Sequence, residues 1–329
     1  MPKSSNQKLK LLILADIFRS ETNEEHPLSL AELIERLESN GIDAERKSVY
    51  NDIEVLCTYG MDIVKTGSSR NTAYYLGSGD FEIHELKLLA DAVACSRFIT
   101  EKKSRELIGK LGALANRHDA GELKRNVIVS DRIKNGNEQI YYTVDAIQKA
   151  IREKKKIRFL YFDYDCKKNK KYHNGGAYSE VSPYALCWRE ENYYLVGFYD
   201  KYQSVGNFRV DKIEKVEIID DERRIEPPKD FNLNEYTKKR FGMFSGDDKR
   251  ITLKVHNSLS GVIFDRFGKN ILVTIEDDEH FSVNQPVTVS PTLFGWVAQF
   301  GNKMEITAPE GVREEFRKHI KSIAKLYKQ

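Results

Sequence analysis

Three short runs, Val181–Arg189, Asn192–Gly197 and Asn207–Asp211, alternate apolar and polar residues and are rich in aromatics. Period two is the mark of a β-strand, and the intervals carry turn residues, Glu190-Glu191 and Asp200-Lys201. The alternation predicts a small, strongly twisted sheet or barrel with one face of side chains exposed. Ile157–Phe162 reads as its first strand.

At 329 residues the chain exceeds one ordinary core, so two or three domains are expected. The pattern divides into 1–78, a helix-rich module ending in a hairpin; 79–140, a helical linker; 141–228, the sheet domain; and 229–329, a compact α+β unit. Pro227-Pro228 punctuates the last boundary. A helix runs from Tyr141 through Val144, Ile147 and Ile151 into Lys154-Lys155-Lys156, whose charges suit a helix C-terminus. Cys166–Gly176 reads as a lysine-rich solvated loop, with the rim of an anion site as the other reading. Phe231–Phe244 reads as a connector. Beyond it Ile251–Val255, Ile271–Ile275, Gln285–Val289 and Met304–Ile306 alternate as strands. Leu293, Trp296, Val297 and Phe300 form a helical stripe, and Val312–Tyr327 an amphipathic closing helix. Residues 81–116 carry helical stripes, and 117–140 are polar and irregular.

The first module reads as a winged helix. Leu11, Leu12, Leu14, Ala15 and Phe18 stripe one helix; Ser29-Leu30-Ala31-Glu32 is a capping box opening a second, with Leu28 and Leu33 flanking it. Asn40-Gly41 stops that helix, and Asp43 is placed to cap the next. Two short helices around a glycine turn make a helix-turn-helix. On the third helix Val49, Ile53 and Leu56 share one face. The opposite arc holds Lys47, Tyr50, Asn51 and Glu54, with Arg46 and Ser48 on its margins. Asn pairs bidentately with adenine and Lys reaches guanine or phosphate, so this arc suits a major groove. Arg70 at the hairpin tip suits a phosphate or minor-groove contact. The module carries 9 Lys+Arg against 12 Asp+Glu over residues 1–76, a charge balance that counts against nucleic-acid binding.

Ser182-Pro183-Tyr184, the triplet Tyr193-Tyr194-Leu195 and Phe208-Arg209-Val210-Asp211, in that order, resemble the signature of WYL-domain proteins, with Tyr193 where the family has Trp. Arg46–Ile53 resembles the recognition helix of the DeoR-like helix-turn-helix found ahead of many WYL domains, with Asn51 where Arg is usual. Gly295–Gly301 and Ala308-Pro309-Glu310 resemble the C-terminal extension that follows WYL domains. The resemblance implies an α+β multidomain chain: winged helix-turn-helix, helical linker, small Sm/SH3-like β-barrel WYL domain and α+β extension. It implies a ligand face built from Ser182, Tyr184, Arg189, Tyr193, Tyr194, Asn207 and Arg209. Aromatic rings stack on bases, and a guanidinium forks onto phosphate or carboxylate. Without the resemblance, the same tyrosines read as ordinary half-buried sheet residues.

The expected function is a sequence-specific transcription regulator, a repressor, binding a double-stranded operator as a homodimer and answering to an effector at the WYL domain. The effector class is anionic, single-stranded nucleic acid or nucleotide among it. The alternative is an accessory subunit of a defence or repair system that holds single strands on the WYL sheet. No phosphate-binding glycine loop, dinucleotide fingerprint, HExxH or GxSxG motif is present, so no enzyme and no catalytic residue is expected. Cys57, Cys95, Cys166 and Cys187 are scattered, so neither metal site, cofactor nor disulfide framework is expected, and a reducing cytoplasm is the simplest setting. The N-terminus lacks a secretory leader, and no apolar run approaches the ~20 residues of a membrane span.

Overall fold

The computed structural model describes residues 7–68, 71–121, 134 and 136–327, which fall into two compact units, Met1–Glu138 and Gln139–Gln329. It is a mixed α/β, multidomain structure with curled sheets.

In the first unit α1 (Gln7–Glu21) leads to β1 (Leu28–Ser29), α2 (Leu30–Ser39) and α3 (Arg46–Tyr59). The capping box forms as the sequence predicts. The Glu32 N–H donates to Ser29 Oγ at 3.3 Å, and the Ser29 N–H donates to the Glu32 carboxylate at 2.7 Å, worth about 1 kcal/mol to the helix start. Asp43 does not cap α3. The N-cap is Glu45, without a side-chain bond, because the chain stays extended past Asp43. Gly60, at φ 110°, ends α3 in a left-handed turn that a side chain would strain. Strands β2 (Asp62–Thr66) and β3 (Ala73–Ser78) pair antiparallel, and β1 joins β3, giving the order β1-β3-β2. Leu14, Phe18, Leu33, Leu37, Val49 and Leu56 form the core beneath. Helices α4 (Ile83–Cys95) and α5 (Glu101–Gly112) pack on each other through Leu86, Ala90, Ile108 and Leu111. The chain after α5 returns to α1, where the Arg117 N–H donates to the Ser20 carbonyl and its guanidinium meets Glu21 at 2.7 Å.

The second unit opens with α6 (Ile140–Glu153) and a sheet of β4 (Lys155–Tyr164), β5 (Lys170–Tyr172), β6 (Ser179–Arg189), β7 (Asn192–Tyr199), β8 (Ser204–Arg209) and β9 (Ile213–Arg223). The order is β5-β4-β6-β7-β8, with β9 on the other side of β4; among the described residues β8 and β9 do not pair, so the sheet is curled rather than a closed barrel. Gly197 lets β7 pass close to β6, since a Cβ there would meet the Ser182 carbonyl at 2.6 Å. The lysine run does not end α6 as expected. Lys154 is a left-handed cap, and Lys155 and Lys156 already belong to β4, paired with Asp220, and with Asp200 and Glu222. Lys170, expected in a solvated loop, lies in β5 and pairs with Glu214.

After β9 come α7 (Leu233–Lys238), β10 (Asp247–His256), α8 (Ser260–Phe267), β11 (Val273–Ile275), β12 (His280–Val289), α9 (Pro291–Ala298), β13 (Met304–Ala308) and α10 (Glu310–Leu326). The sheet order is β11-β12-β10-β13, with Leu253, Val255, Val283 and Ile306 buried against Ile263, Leu293 and Val312 of the helices. Among the described residues, no helix is long and apolar enough to cross a membrane.

Candidate functional site

Helix α3 seats Val49, Ile53 and Leu56 in the core and leaves Arg46, Lys47, Tyr50 and Asn51 exposed, as its period requires. Ser48 is placed differently from the expectation. Its Oγ accepts from Lys10 Nζ, whose side chain is 2% exposed and also reaches Asp52 at 2.6 Å. Ser48 thus faces α1, where its hydroxyl gives the buried Lys10 ammonium a second acceptor beside Asp52. Tyr50 packs its ring edge-on against Tyr74 of β3 at 6.5 Å, and burial pushes the Tyr74 hydroxyl up. Arg70 lies outside the described residues.

In the second unit the strand register decides which side chains share a face. Cys187, Tyr194 and Arg209 form one row across β6–β8; Arg189 and Asn192 form the next outward, and Val196 and Asn207 the next inward. Of the expected ligand residues, Arg189, Tyr194, Asn207 and Arg209 therefore share this face, whereas Tyr193 pairs with Trp188 on the opposite one.

This face is not open. Residues 231–243, expected only to connect, lie across it as a strap, with Phe231, Leu233, Tyr236 and Met243 packed around Tyr194, Val196, Cys187 and Val205. The Tyr236 hydroxyl donates to Asn207 Oδ1 at 2.9 Å, and Asn207 Nδ2 donates to the Met243 carbonyl at 3.1 Å. Tyr194 is 7% exposed. Tyr184 is buried with its ring against Phe231 at 5.5 Å, and Ser182 Oγ accepts from the Ile225 N–H at 2.9 Å. Burial raises the hydroxyl pKa of Tyr184, Tyr194 and Tyr236, and also the Cys187 thiol, so all stay neutral. Ser182, Tyr184, Tyr194 and Asn207 are thus interior groups rather than a stacking surface. The expectation of an exposed face fails because an apolar segment some forty residues downstream covers it.

What remains open is the outer edge. The Arg209 side chain is 37% exposed, held by Asp211 through two bonds of 2.7 and 3.0 Å and by Asn192 Oδ1 at 3.1 Å. The bonded Asp211 carboxylate raises its pKa further. Arg189 is half-buried and makes no ion pair among the described residues. Trp188, 48% exposed, meets Tyr193 edge-to-face at 4.7 Å. Trp188 was not among the expected ligand residues; its position opposite Tyr193 across the predicted hairpin was the available signal. An open cleft of about 390 Å³ lies beside β8, lined by Tyr161, His173, Tyr199, Tyr202 and Phe208 among others. Tyr161, mostly buried and pushed up to about 12 by desolvation, accepts the Arg209 backbone N–H at its edge.

A family model described as the WYL domain matches residues 142–218, and one described as the WCX domain matches residues 247–324. No curated protein matches the chain. Among solved structures, the chain is similar to proteasome accessory factor B/C (PafBC) of Arthrobacter aurescens, at 17% identity and a TM-score of 0.28 over 95% of this chain. It spans 45% of that protein's length. It is also similar to a CRISPR Cas-related protein, at 13% identity and a TM-score of 0.38, covering 98% of this chain and 85% of that one.

Proposed function

Because the chain belongs to the WYL-domain family, with a WCX domain following its WYL domain, we propose that it is a transcription regulator that binds duplex DNA through α3 of a winged helix-turn-helix. The single observation that carries this reading is the division of α3: Val49, Ile53 and Leu56 are spent on the core, while Arg46, Lys47, Tyr50 and Asn51 are left in solvent. Those are residue types that read base edges and phosphates. In this reading the protein is no enzyme. It represses by occupying its operator, and a homodimer places two copies of α3 on a two-fold site. The effector is an anionic or nucleic-acid-like molecule at the outer edge of the WYL sheet, where Arg189 and Arg209 flank the Trp188–Tyr193 pair. It acts by binding the operator-competent and operator-free states with different affinity.

The exposed indole of Trp188 also favours a second reading, an accessory subunit that holds single strands by stacking. A gel shift with duplex from the chain's own upstream region separates the two. Specific duplex binding, weakened by about tenfold or more in Lys47→Ala/Asn51→Ala, supports the regulator; an unaltered shift removes α3 as reader. Preference for single strands supports the accessory role.

A further inference from the structure

Arg189 aside, arginines elsewhere in the second unit are either well exposed or paired, as Arg158 is with Glu217 and Arg224 with Glu226. Two depart from this. Arg240, at the end of the strap, is 8% exposed, and Arg266, on α8, is partly buried; among the described residues neither has a carboxylate within ion-pair distance. Arg240 lies 3.4 Å above the Tyr236 ring and donates to the Tyr236 carbonyl at 2.8 Å. Arg266 lies 3.8 Å above the Phe241 ring and donates to the Arg240 carbonyl at 2.7 Å. The Nε–H of each is buried and meets no acceptor. Buried cations are ordinarily paired, because desolvating a charge costs several kcal/mol when nothing compensates it.

The charge of a third guanidinium reaches this place. Arg189 ends β6 at the hairpin tip, and its charge acts on Arg266, whose pKa burial and then Arg189 bring down to about 10. The tip itself is held in a costly shape. Glu190 and Glu191, at φ 48° and 63°, make a two-residue turn that normally takes Asn and Gly. Left-handed backbone at such residues costs on the order of 1 kcal/mol each. The Glu190 carboxylate accepts the Gly242 N–H at 3.2 Å, which fixes the tip against the strap. Glu190 offsets one of the three positive charges and leaves the others.

We propose that Arg189, Arg240 and Arg266 form a site for a phosphate-class oxyanion where the β6–β7 tip meets the strap and α8. Planar guanidiniums fork onto such oxygens, and Arg keeps its charge where Lys would lose it. The site is distinct from Arg209, whose fork is already taken by Asp211 and Asn192. Only Arg189 was foreseen as a ligand residue. The inference deepens the effector reading, but it is tested without operator DNA, so loss of the operator reading leaves it standing.

The experiment is thermal unfolding of the full chain in inorganic pyrophosphate and in a short single-stranded oligothymidylate, each against sodium chloride of equal ionic strength. A ligand bound only by the folded state raises the melting temperature with concentration. The expected result is a rise beyond the chloride control. Arg266→Met should be as stable as the parent without anion and should lose the response. Arg189→Gln should fold normally and weaken anion affinity by about tenfold. A response to the oligonucleotide at lower concentration than to pyrophosphate identifies a polynucleotide phosphate; the reverse order identifies a free one. A shift no larger than chloride gives, or an undiminished shift in Arg189→Gln, overturns the proposal, and the Arg189 variant decides it even where Arg266→Met fails to fold.

Discussion

Helix α3 and the aromatic face of β6–β8 present similar residues, tyrosines, asparagines and basic groups at regular spacing, yet they meet solvent differently. Lys47, Tyr50 and Asn51 stand in water, whereas Tyr184, Tyr194 and Asn207 lie beneath the strap or in the interior. A helix on a small core decides its own exposed side, because the apolar stripe points inward and the rest cannot. A strand does not. Its alternation says only that the two faces differ, and whichever segment arrives later settles which one is covered.

The sharpest way to break this contrast is Tyr194→Ala beside Tyr50→Ala, compared by chemical denaturation. The first should cost about 3 kcal/mol through the cavity left under the strap. The second, which gives up an edge-on ring contact with Tyr74, should cost about 1 kcal/mol or less. Equal costs would mean that the strap does not cover Tyr194 as described.

The polar support beneath α3 refines the comparison. Lys10→Met leaves the Asp52 carboxylate without its cation and should cost about 3 kcal/mol. Adding Asp52→Asn should recover much of that loss, since the two positions are coupled. A double variant no better than the single one would show that Lys10 contributes by packing alone.

Smallest, and on the other side of β8 from the strap, is a pH effect at Tyr161. Its hydroxyl rises from 10.0 to about 12 in the folded chain, chiefly by desolvation. A folded pKa above the unfolded one stabilises the protonated form, so this stability is complete below pH 10 and is lost as pH rises through about 12. Ultraviolet titration of phenolate in Tyr161→Phe against the parent measures it; loss of a phenolate step well below 12 would contradict the burial described.

Much of the first unit was legible because its signals are local. The Ser29–Glu32 box, the Asn40-Gly41 stop and the Val49, Ile53, Leu56 stripe each depend on neighbours within a turn or two. Ser48 was misread because its partner, Lys10, is thirty-eight residues away. In the second unit the strands were legible, and register brought Tyr194, Asn207 and Arg209 to one face. The cover was not, since Phe231, Leu233, Tyr236 and Met243 follow neither helical nor strand period as a set. Lys155 and Lys156 were misplaced for a similar reason: the carboxylates that draw them into β4, Asp220, Asp200 and Glu222, come from strands and turns much later in the chain.

The strap is also bound on its far side. The Lys239 carbonyl accepts from the Thr288 N–H of β12 at 2.8 Å, and the Phe241 carbonyl accepts from Thr292 Oγ1 of α9 at 2.7 Å. One short segment therefore finishes the interior of two sheets at once. Neither sheet can come apart without stripping side chains from its neighbour, which makes the WYL and WCX portions a single cooperative body despite their separate family descriptions.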